Sequence, residues 1–555
     1  MARIAPNGAY SPAFADVTEG ARKAMKITRP RRIGAAAAAL GLVLVGAATS
    51  HATTTPTLPA CAMPTVGGDW PAYGGDAHNT RSQPAESTIG AANAGSLAPA
   101  WVFSASANGG DGAINSTPVE AGGCVFATTS TGWVFAVDAT SGALVWKHQL
   151  SAPTPGNGGV IVGAPAVAGS AVYVLVNDTA DGTPARGPYV AALDQSTGTL
   201  RWRSTPVATY VGDYTNASPV VMPVGDDGDH AVVFAGFSPP EGDPQGQGGF
   251  ALIDTASGAI ARVTYTVPPA DQPKGYAGGG IWSTPAYDPA TQYAYVGTGN
   301  PYSKTVEHPN TNAILKISLR ARDLGAIAGS YKGNPDQYTQ TLQTIASSPV
   351  CAATETAPTP LDDPACGQID LDFGASANLF HAADGTLLVG DLQKAGVYHA
   401  ARTTDMAPAW ATIVGGPCHV CNAGSTATDG RSVFGVSAPG GAAFALDDAG
   451  AATWRSVAAD ATHYQGTSVA NGVVYTFDNQ GFLDLFDAAS GTPVAKRPLA
   501  ADIGQPAVAL TSAGISIARH TVFVGVSGGA AAGAAALGQA VRPPLADAFI
   551  VAYRL

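Results

Sequence analysis

The chain has 555 residues, of which 46% are hydrophobic and 12% charged, and its formal net charge is −12. Its 68 glycines and 41 prolines argue against a largely helical protein. They fall between short apolar runs and so predict many tight turns rather than disorder.

The first 52 residues have the features of a signal peptide. A basic stretch at 29–32 precedes an uncharged apolar stretch at 33–48, and small residues follow at Ser50 and Ala52. The apolar stretch is shorter than the ~20 residues needed to cross a bilayer, so we predict a cleaved signal peptide at 1–52. The mature chain is then expected to be secreted or extracytoplasmic, with no integral membrane span.

The mature chain is also strongly acidic. Without residues 1–52 it has 21 basic and 38 acidic residues, a net charge of −17. This charge argues against nucleic acid and anionic membranes as partners.

All six cysteines follow residue 52, an even number that suits disulfides in an oxidising compartment. Cys351 with Cys366 and Cys418 with Cys421 are the nearest local pairs, but the sequence leaves the connectivity open. Cys418 and Cys421 also have the spacing of half a zinc site. Since there is no second pair, a disulfide is the favoured interpretation.

After an N-terminal arm predicted at 53–95, one motif recurs along the chain. Its clear copies read Ala-Val-Asp-Ala-Thr-Ser-Gly-Ala-Leu-Val-Trp and Ala-Leu-Asp-Gln-Ser-Thr-Gly-Thr-Leu-Arg-Trp, and Arg262 and Ala495 replace the Trp in weaker ones. Clear and degenerate copies lie at 136–146, 192–202, 252–262, 400–410, 445–454 and 485–495. A repeat of this length predicts an array of similar small units.

The motif describes an apolar strand, a turn in which Gly takes positive φ, and a second strand that ends on Trp. The Trp is expected to lie flat between adjacent units. Small sheets that cannot bury both faces alone are stabilised by closing into a ring. We therefore predict an all-β fold, an eight-bladed β-propeller of four-stranded antiparallel blades over 96–555.

The predicted propeller also has irregular parts. An insertion is expected at 326–369 and a Gly/Ala-rich excursion at 528–541, and the eighth unit is expected to combine 503–555 with an early strand at 100–103. The other seven units are predicted near 112–150, 159–204, 213–266, 280–325, 370–410, 422–456 and 463–498.

Motifs between the repeats give the chain a resemblance to a known family. They are Gly-Gly-Gly-Ile-Trp at 278–282, Gly-Thr-Gly-Asn-Pro at 297–301, Asp-Leu-Asp-Phe-Gly at 370–374 and Asp-Leu-Gln-Lys-Ala-Gly-Val-Tyr at 391–398. With Asp-Trp-Pro-Ala-Tyr-Gly-Gly-Asp-Ala-His-Asn-Thr-Arg in the arm, the chain resembles the pyrroloquinoline quinone (PQQ)-dependent alcohol dehydrogenases. Within this family it is most similar to the polyvinyl-alcohol-dehydrogenase-like branch.

The resemblance implies a role for each motif. Trp282 would form the flat floor beneath the quinone, and Asn300 would supply an oxygen to Ca²⁺, which suits a planar cofactor and a hard cation. Asp372 would be the base that takes the substrate's hydroxyl proton and a further ligand of the cation. Lys394 would contact the quinone oxygens. Family members that use lanthanides carry a carboxylate at the position of Gly374, so Ca²⁺ is the expected metal.

Other candidates rest on weaker matches. Glu241, with Asp243 in reserve, is the candidate for the glutamate metal ligand that the family takes from the preceding blade. Asn115 and Asn216 each precede the start of a strand and are candidates for lining the same face as the cofactor. Taken singly, all these residue types also occur in cores, turns and solvated loops.

Two features depart from the family pattern. There is no adjacent Cys-Cys pair, and Asn422 follows Cys418-His-Val-Cys421, so covalent haem c is not expected.

Taken together, the resemblance and its motifs predict a PQQ- and Ca²⁺-dependent alcohol dehydrogenase for a small or polymeric alcohol, with an external cytochrome or quinone as electron acceptor. The alternative is a non-catalytic propeller that acts as an extracytoplasmic scaffold or sensor, because a fold alone does not fix a function.

Overall fold

Short strands separated by turns rich in glycine and aspartate form nearly all the regular structure described for this chain. The computed structural model describes residues 60–63, 66–151, 161–178, 187–225, 230–303, 306–334, 371–416, 424–437, 441–457, 463, 466–478, 480–508, 514–528 and 547–555. Within them the strands pair into eight antiparallel sheets. The predicted eight-bladed β-propeller is confirmed.

Blades one to four each use four consecutive strands that pair in chain order. Blade one has β2 (Val119–Ala121), β3 (Cys124–Thr128), β4 (Trp133–Asp138) and β5 (Leu144–Gln149), and blade two has β6 (Ala166–Ala168), β7 (Ala171–Val176), β8 (Tyr189–Asp194) and β9 (Leu200–Arg203). Blade three has β10 (Val220–Val224), β11 (His230–Phe237), β12 (Gly249–Asp254) and β13 (Ile260–Tyr265), and blade four has β14 (Ala286–Asp288), β15 (Tyr293–Gly297), β16 (Ala313–Ser318) and β17 (Ile327–Lys332).

Blades five to seven repeat this order. Blade five has β18 (Asn378–His381), β19 (Leu387–Gln393), β20 (Val397–Arg402) and β21 (Pro408–Ile413), blade six has β22 (Ala427–Thr428), β23 (Val433–Ser437), β24 (Ala442–Leu446) and β25 (Ala452–Ser456), and blade seven has β26 (Ser468–Ala470), β27 (Val473–Phe477), β28 (Phe482–Asp487) and β29 (Pro493–Pro498).

Blade eight closes the ring by combining the first strand of the described chain with its last four strands. Its strands are β30 (Ala507–Val508), β31 (Ile515–Ala518), β32 (Thr521–Gly528), β33 (Asp547–Arg554) and the early strand β1 (Ala98–Ser104). Strand β1 pairs antiparallel with β33, with Phe103 opposite Ile550. The expected union of the early strand with the last unit is therefore confirmed.

Helices are few and short in the described residues. They are one α-helix, α1 (Ala500–Ile503), and three 3₁₀ turns at Ala94–Ser96, Ser106–Asn108 and Gln272–Lys274. Among the residues described, no helix has the length and apolar character that a membrane crossing requires.

At seven of the eight joints, the first strands of neighbouring blades lie next to each other, with β31 in this place in blade eight. Hydroxyl groups where these strands begin connect one blade to the next. Ser218 Oγ accepts a hydrogen bond from Ala164 N–H at 2.9 Å, and Thr284 Oγ1 accepts one from Ser218 N–H at 3.1 Å. Ser376 Oγ and Ser425 Oγ continue the series at 2.9 and 3.0 Å. The strand starts of blades two to six are therefore held in fixed relative positions.

The Trp of the repeat lies against the turn of the next blade, as predicted. At five joints its indole N–H donates to a turn carbonyl, and the turn glycine packs under the ring; a Cβ on Gly198 would lie 2.5 Å from Trp146. The five bonds are Trp101 to Ala139 O (3.2 Å), Trp146 to Gln195 O (2.9 Å), Trp202 to Thr255 O (3.0 Å), Trp410 to Asp448 O (3.1 Å) and Trp454 to Ala488 O (2.8 Å).

Part of the predicted arm follows the innermost strands. Backbone N–H groups of Tyr287, Leu379 and Thr428 donate to arm carbonyls at 2.7, 3.0 and 2.8 Å, so the arm connects blades four, five and six. A disulfide joins Cys61 of the arm to Cys124 of blade one, a pair that the sequence did not indicate. The described part of the arm is thus fastened to the ring.

One predicted boundary is wrong. The insertion was expected to begin at 326, but Ile327–Lys332 is strand β17 and pairs with β16 as the fourth strand of its blade. The blade therefore extends to Lys332. Several predictions lie outside the described residues: the signal peptide, the pairs Cys351–Cys366 and Cys418–Cys421, residues 335–370, and most of the excursion at 528–541.

Candidate active site

Four of the predicted site residues come from blades four and five. Trp282 precedes β14 and Asn300 follows β15, while Asp372 precedes β18 and Lys394 follows β19. The first strand of a blade begins at the face where its second strand ends, because the two are antiparallel. The four residues therefore meet at one face of the ring, across the joint between two neighbouring blades.

Three of these side chains are in direct contact. Lys394 Nζ lies 2.7 Å from Asp372 Oδ1, and Trp282 Nε1 donates to Asp372 Oδ2 at 3.1 Å. Lys394 Nζ also lies 4.9 Å from the centre of the Trp282 ring, within the range of a cation–π interaction. The Asp372 carboxylate and the Lys394 ammonium are both buried, while the Trp282 ring is half-buried. The buried ion pair of Asp372 and Lys394 is therefore held in place by a third side chain, since the Trp282 N–H donates to the carboxylate.

Glycines let the backbone of the site pack closely. Gly279 takes φ +68° and donates its N–H to Asn300 O at 2.7 Å, and Gly299 N–H donates to Gly280 O at 2.7 Å. A Cβ on Gly299 would lie 3.1 Å from Asp372 Oδ2, so the segment that carries Asn300 passes directly beside the carboxylate. The Asn300 Oδ1 atom is buried, and no residue of the described chain forms a hydrogen bond with it.

A second carboxyl group lies next to this site. Asp391, in β19, is completely buried, and no side chain of the described residues forms a hydrogen bond with its carboxyl oxygens. Burial raises the pKa of Asp391 well above its usual value; the Leu392 N–H opposes this shift, and the charge of Asp372 adds to it. Sequence reasoning missed this residue; its one signal is an acidic residue inside the apolar run Leu387–Gln393.

The structure does not bring every candidate into this group. Glu241 is exposed on the loop after β11, and Asp243 accepts a hydrogen bond from Tyr210 O–H at 2.7 Å. That bond is the main cause that lowers the pKa of Asp243. Asn115 and Asn216 are half-buried just before β2 and β10, at positions that correspond to Trp282 on their blades.

The residues present fit a planar, acidic cofactor with an associated cation. Trp282 offers an aromatic surface and Lys394 a fixed positive charge, and the buried Asn300 Oδ1 without a partner suits an oxygen ligand for a hard cation. Within the described residues, no group of three or more His, Cys, Asp and Glu side chains is arranged to hold a metal by itself. A cation here would need oxygens beyond the Asp372 carboxylate and the Asn300 amide.

Comparisons with known proteins give the family context. A PQQ family, the β-propeller domain of glucose, ethanol and alcohol dehydrogenases, matches residues 70–163. A polyvinylalcohol dehydrogenase of Pseudomonas sp. is 27% identical over 269 residues, which cover 45% of this chain and 38% of the relative. The quinohemoprotein alcohol dehydrogenase ADH IIB of Pseudomonas putida is 30% identical over 304 residues, which cover 49% of this chain and 40% of the relative. The match spans about two fifths of each relative.

Solved structures share the fold over most of the chain. The quinohemoprotein alcohol dehydrogenase of Comamonas testosteroni superposes with a TM-score of 0.61 at 17% identity, covering 87% of this chain and 80% of that one. A europium-containing methanol dehydrogenase gives a TM-score of 0.64 at 16% identity, with 88% and 98% covered. At such identities the likeness concerns the fold alone.

Fold and site define an eight-bladed propeller with a buried carboxylate, lysine and tryptophan group at one face. The family match over residues 70–163 and the curated relatives show that the chain is similar to the PQQ-dependent alcohol dehydrogenases.

Proposed function

We propose that this protein is an extracytoplasmic PQQ- and Ca²⁺-dependent alcohol dehydrogenase. The observation that carries the proposal is the contact of Asp372 with both Lys394 and Trp282 in the joint between blades four and five. Both partners of this ion pair are buried, and a propeller that served only as a scaffold would not need to desolvate two charges in this way.

Asp372 is the base of the proposed reaction. Its carboxylate accepts the proton of the substrate hydroxyl while the hydride leaves the carbon. PQQ, when bound, supplies the two-electron acceptor for that hydride. The Trp282 N–H and the Lys394 ammonium hold the carboxylate in one orientation, and burial keeps water away from it. Asn300 Oδ1 and Asp372 would hold Ca²⁺, with Glu241 as the candidate third ligand, and the cation would act as a Lewis acid.

The substrate is proposed to be a primary or secondary alcohol. Two of the related proteins are polyvinylalcohol dehydrogenases, which supports a polymeric alcohol and the corresponding branch of the family. Electrons are proposed to leave to an external cytochrome or quinone, because the sequence has no Cys-x-x-Cys-His motif for covalent haem. The predicted signal peptide supports a location outside the cytoplasm.

The test separates cofactor binding from chemistry. Purified protein is titrated with PQQ and Ca²⁺ while tryptophan fluorescence is followed, and reduction of an artificial dye is then measured with primary, secondary and polymeric alcohols. Asp372→Asn is expected to bind PQQ and to lose at least about 100-fold in kcat, since a general base contributes that much or more. Saturable PQQ binding by the wild type without any alcohol oxidation would contradict the proposed activity.

A matched control is available on blade seven. Asp484 is also buried, and it lies 3.5 Å from the ammonium of Lys496. Asp484→Asn removes a comparable buried charge outside the site, and we expect it to retain kcat. If it lost activity as Asp372→Asn does, the loss would report on folding rather than on a base. Absence of any saturable PQQ binding by the wild type would favour the scaffold alternative.

A further inference from the structure

A buried hydrogen-bond chain connects blades four and five behind the site. His399 of β20 lies at its centre: Tyr331 Oη of β17 is 2.9 Å from His399 Nδ1, and Gln393 Oε1 of β19 is 2.9 Å from His399 Nε2. Gln393 Nε2 donates onward to Asn312 Oδ1 at 2.8 Å. Side chains from both blades are thus joined in one network.

The donor and acceptor of each hydrogen bond in this network follow from the orientation of the Gln393 amide. Its Nε2 also donates to Asn334 O at 3.0 Å, and its Oε1 accepts from Asn334 N–H at 3.1 Å, which fixes the amide orientation. An amide oxygen accepts only, so the proton of His399 is on Nε2, and Nδ1 accepts from the Tyr331 hydroxyl. Burial lowers the pKa of His399 to about 3, which keeps the imidazole neutral, as this arrangement requires.

His399 touches the chain neighbours of both charged site residues. It bonds to Gln393, which precedes Lys394, and its ring meets the Phe373 ring edge-on at 5.6 Å, next to Asp372. The two site residues are also joined through the backbone, where Lys394 N–H donates to Asp372 O at 3.1 Å. A single imidazole therefore supports the Asp372–Lys394 pair from both of its sides.

A histidine is unusual at this place in the repeat. Strand pairing aligns Ala400 with the residue opposite the repeat Trp in each blade, so His399 corresponds to the residue one position earlier. That position is apolar in six other blades and acidic only at Asp484 of blade seven. The six apolar residues are Phe135, Ala191, Ala251, Leu315, Phe444 and Val551. Packing alone is therefore served by an apolar residue here, and the imidazole adds two hydrogen bonds.

We propose that His399 is a positioning residue, which acts through Gln393 and Phe373 to hold Asp372 and Lys394 in the geometry of the site. The inference rests on the proposed function for its catalytic consequence. Its structural content, the fixing of the Asp372–Lys394 pair, is independent of that function. His399 itself takes no part in proton transfer.

The main variants separate the ring from its hydrogen bonds. His399→Phe keeps an aromatic ring beside Phe373 and loses both bonds, whereas His399→Gln keeps a donor for Gln393 and an acceptor for Tyr331. In His399→Phe, kcat is expected to fall about 10- to 100-fold, as small misplacements in a site do, while the KM for alcohol changes less than about twofold. His399→Gln is expected to recover most of kcat. Equal defects in the two variants would overturn the proposal.

A second readout needs neither cofactor nor activity. The Lys394 ammonium is buried against Asp372, so its acetylation by an amine-reactive reagent is expected to be slow; mass spectrometry of PQQ-free protein measures that rate. His399→Phe is expected to raise the rate at Lys394 about fivefold or more, since a loosened pair exposes the amine. The rate at the half-exposed Lys496 should not change. An unchanged rate at Lys394 would overturn the proposal even if the proposed enzymatic function were correct.

Control variants exclude a general loss of stability. Tyr553→Phe removes a buried hydroxyl that donates to Asp502 Oδ2 at 2.6 Å in blade eight, and it is expected to lower Tm without changing kcat or Lys394 acetylation.

If His399→Phe does not fold, Tyr331→Phe takes its place. This variant removes only the outer hydrogen bond of the network, and a smaller fall in kcat is expected. Wild-type kcat and acetylation in Tyr331→Phe would then count against the proposal. If the wild type neither binds PQQ nor oxidises alcohol but the acetylation effect is seen, the proposed function fails and the positioning role stands.

Discussion

Asp391 is a completely buried carboxyl group near the candidate site. Its side chain is fully buried, no side chain of the described residues forms a hydrogen bond with its carboxyl oxygens, and the charge of Asp372 acts on it. Isolated charges are strongly disfavoured in a protein interior, so burial favours the neutral form of the acid.

The raised pKa of Asp391 predicts a specific pH dependence of stability. Between the usual pKa of an unfolded aspartate, near 4, and the raised pKa, the folded protein keeps a proton that the unfolded chain releases. Stability is therefore lost as the pH rises through this window, by up to ~1.4 kcal/mol per pH unit. Asp391→Asn does not titrate, so its free energy of unfolding is expected to fall less than that of the wild type between pH 4 and 8. Urea unfolding at a series of pH values measures the difference.

The control for this prediction is an aspartate with the opposite shift. Hydrogen bonds from Thr386 lower the pKa of the exposed Asp384, so its contribution is present above the usual aspartate pKa and is lost only as the pH falls. Asp384→Asn should therefore run parallel to the wild type above pH 4. Parallel curves for Asp391→Asn as well would show that Asp391 is ionised in the folded protein.

The sequence was informative about some site residues and not about others. Trp282 and Asp372 lie in motifs at strand starts, where a polar or aromatic residue stands out against a turn. Asp391 and His399 lie inside strands that are buried on both faces, so alternation does not tell a site-facing residue from a core residue. Glu241 was chosen from a loop that also offers Asp243, and its side chain is exposed in the structure.

At the scale of the elements, the joint between blades four and five exchanges the large and small residues of the five Trp–Gly joints. A small residue takes the Trp position, and a large one takes the position of the turn glycine. The residue at the Trp position is Gly329, opposite Lys316, and the turn glycine of the next blade is replaced by Met406 at φ +59°. A Cβ on Gly329 would lie 3.1 Å from Met406 Cγ, so the methionine occupies the space of the absent indole. Lys316 Nζ donates to Thr403 O at 2.6 Å, the carbonyl that corresponds to the usual indole acceptor.

This reversal predicts coupling between two substitutions. Gly329→Trp is expected to cost about 1–3 kcal/mol, because the indole meets the Met406 side chain, and Met406→Gly a similar amount, because it leaves a void. In the double variant the indole can pack on a glycine turn as at the other joints, so its loss should be smaller than the sum by about 1 kcal/mol or more. A double-mutant cycle in urea measures this. Additive losses would show that the joint does not use the packing of its neighbours.

The repeat motif predicted the regular joints but not this one. At five joints Trp and Gly are both present, and the contact follows from the sequence. At the joint between blades four and five both signals are lost, and Gly329 lies beyond the predicted end of its unit at 325. The loss of the Trp at Ala495 has a different cause. The Trp of a blade faces the turn between the last two strands of the next blade, but in blade eight these strands are β33 and β1, the last and first strands in the sequence, which no turn joins.

At the scale of the whole molecule, the arm and the closing blade hold the ring together. Arg81 is completely buried and links three parts of the chain: its Nη1 donates to Tyr73 O at 2.6 Å, its Nε to Thr467 O at 2.7 Å and its Nη2 to Ile515 O at 3.4 Å. The cation also lies 4.6 Å from the centre of the Tyr73 ring. Burial lowers its pKa, so these acceptors and the ring compensate for lost hydration.

Arg81→Lys is therefore expected to loosen the arm before it unfolds the ring. A lysine ammonium cannot present the fork that reaches the arm and blades seven and eight together, and the loss is expected to be about 3 kcal/mol because buried carbonyls are left without donors. Hydrogen exchange should show faster exchange in 69–83 than in the blade strands, and the urea midpoint should fall.

Arg554→Lys is the matched control, with a smaller expected loss. Arg554 donates to Ala139 O, Thr140 O and Thr521 Oγ1 at the half-buried rim of the joint between blades eight and one. If Arg81→Lys destabilised no more than Arg554→Lys and left exchange in the arm unchanged, Arg81 would be one contact among many, and the ring would close without the arm.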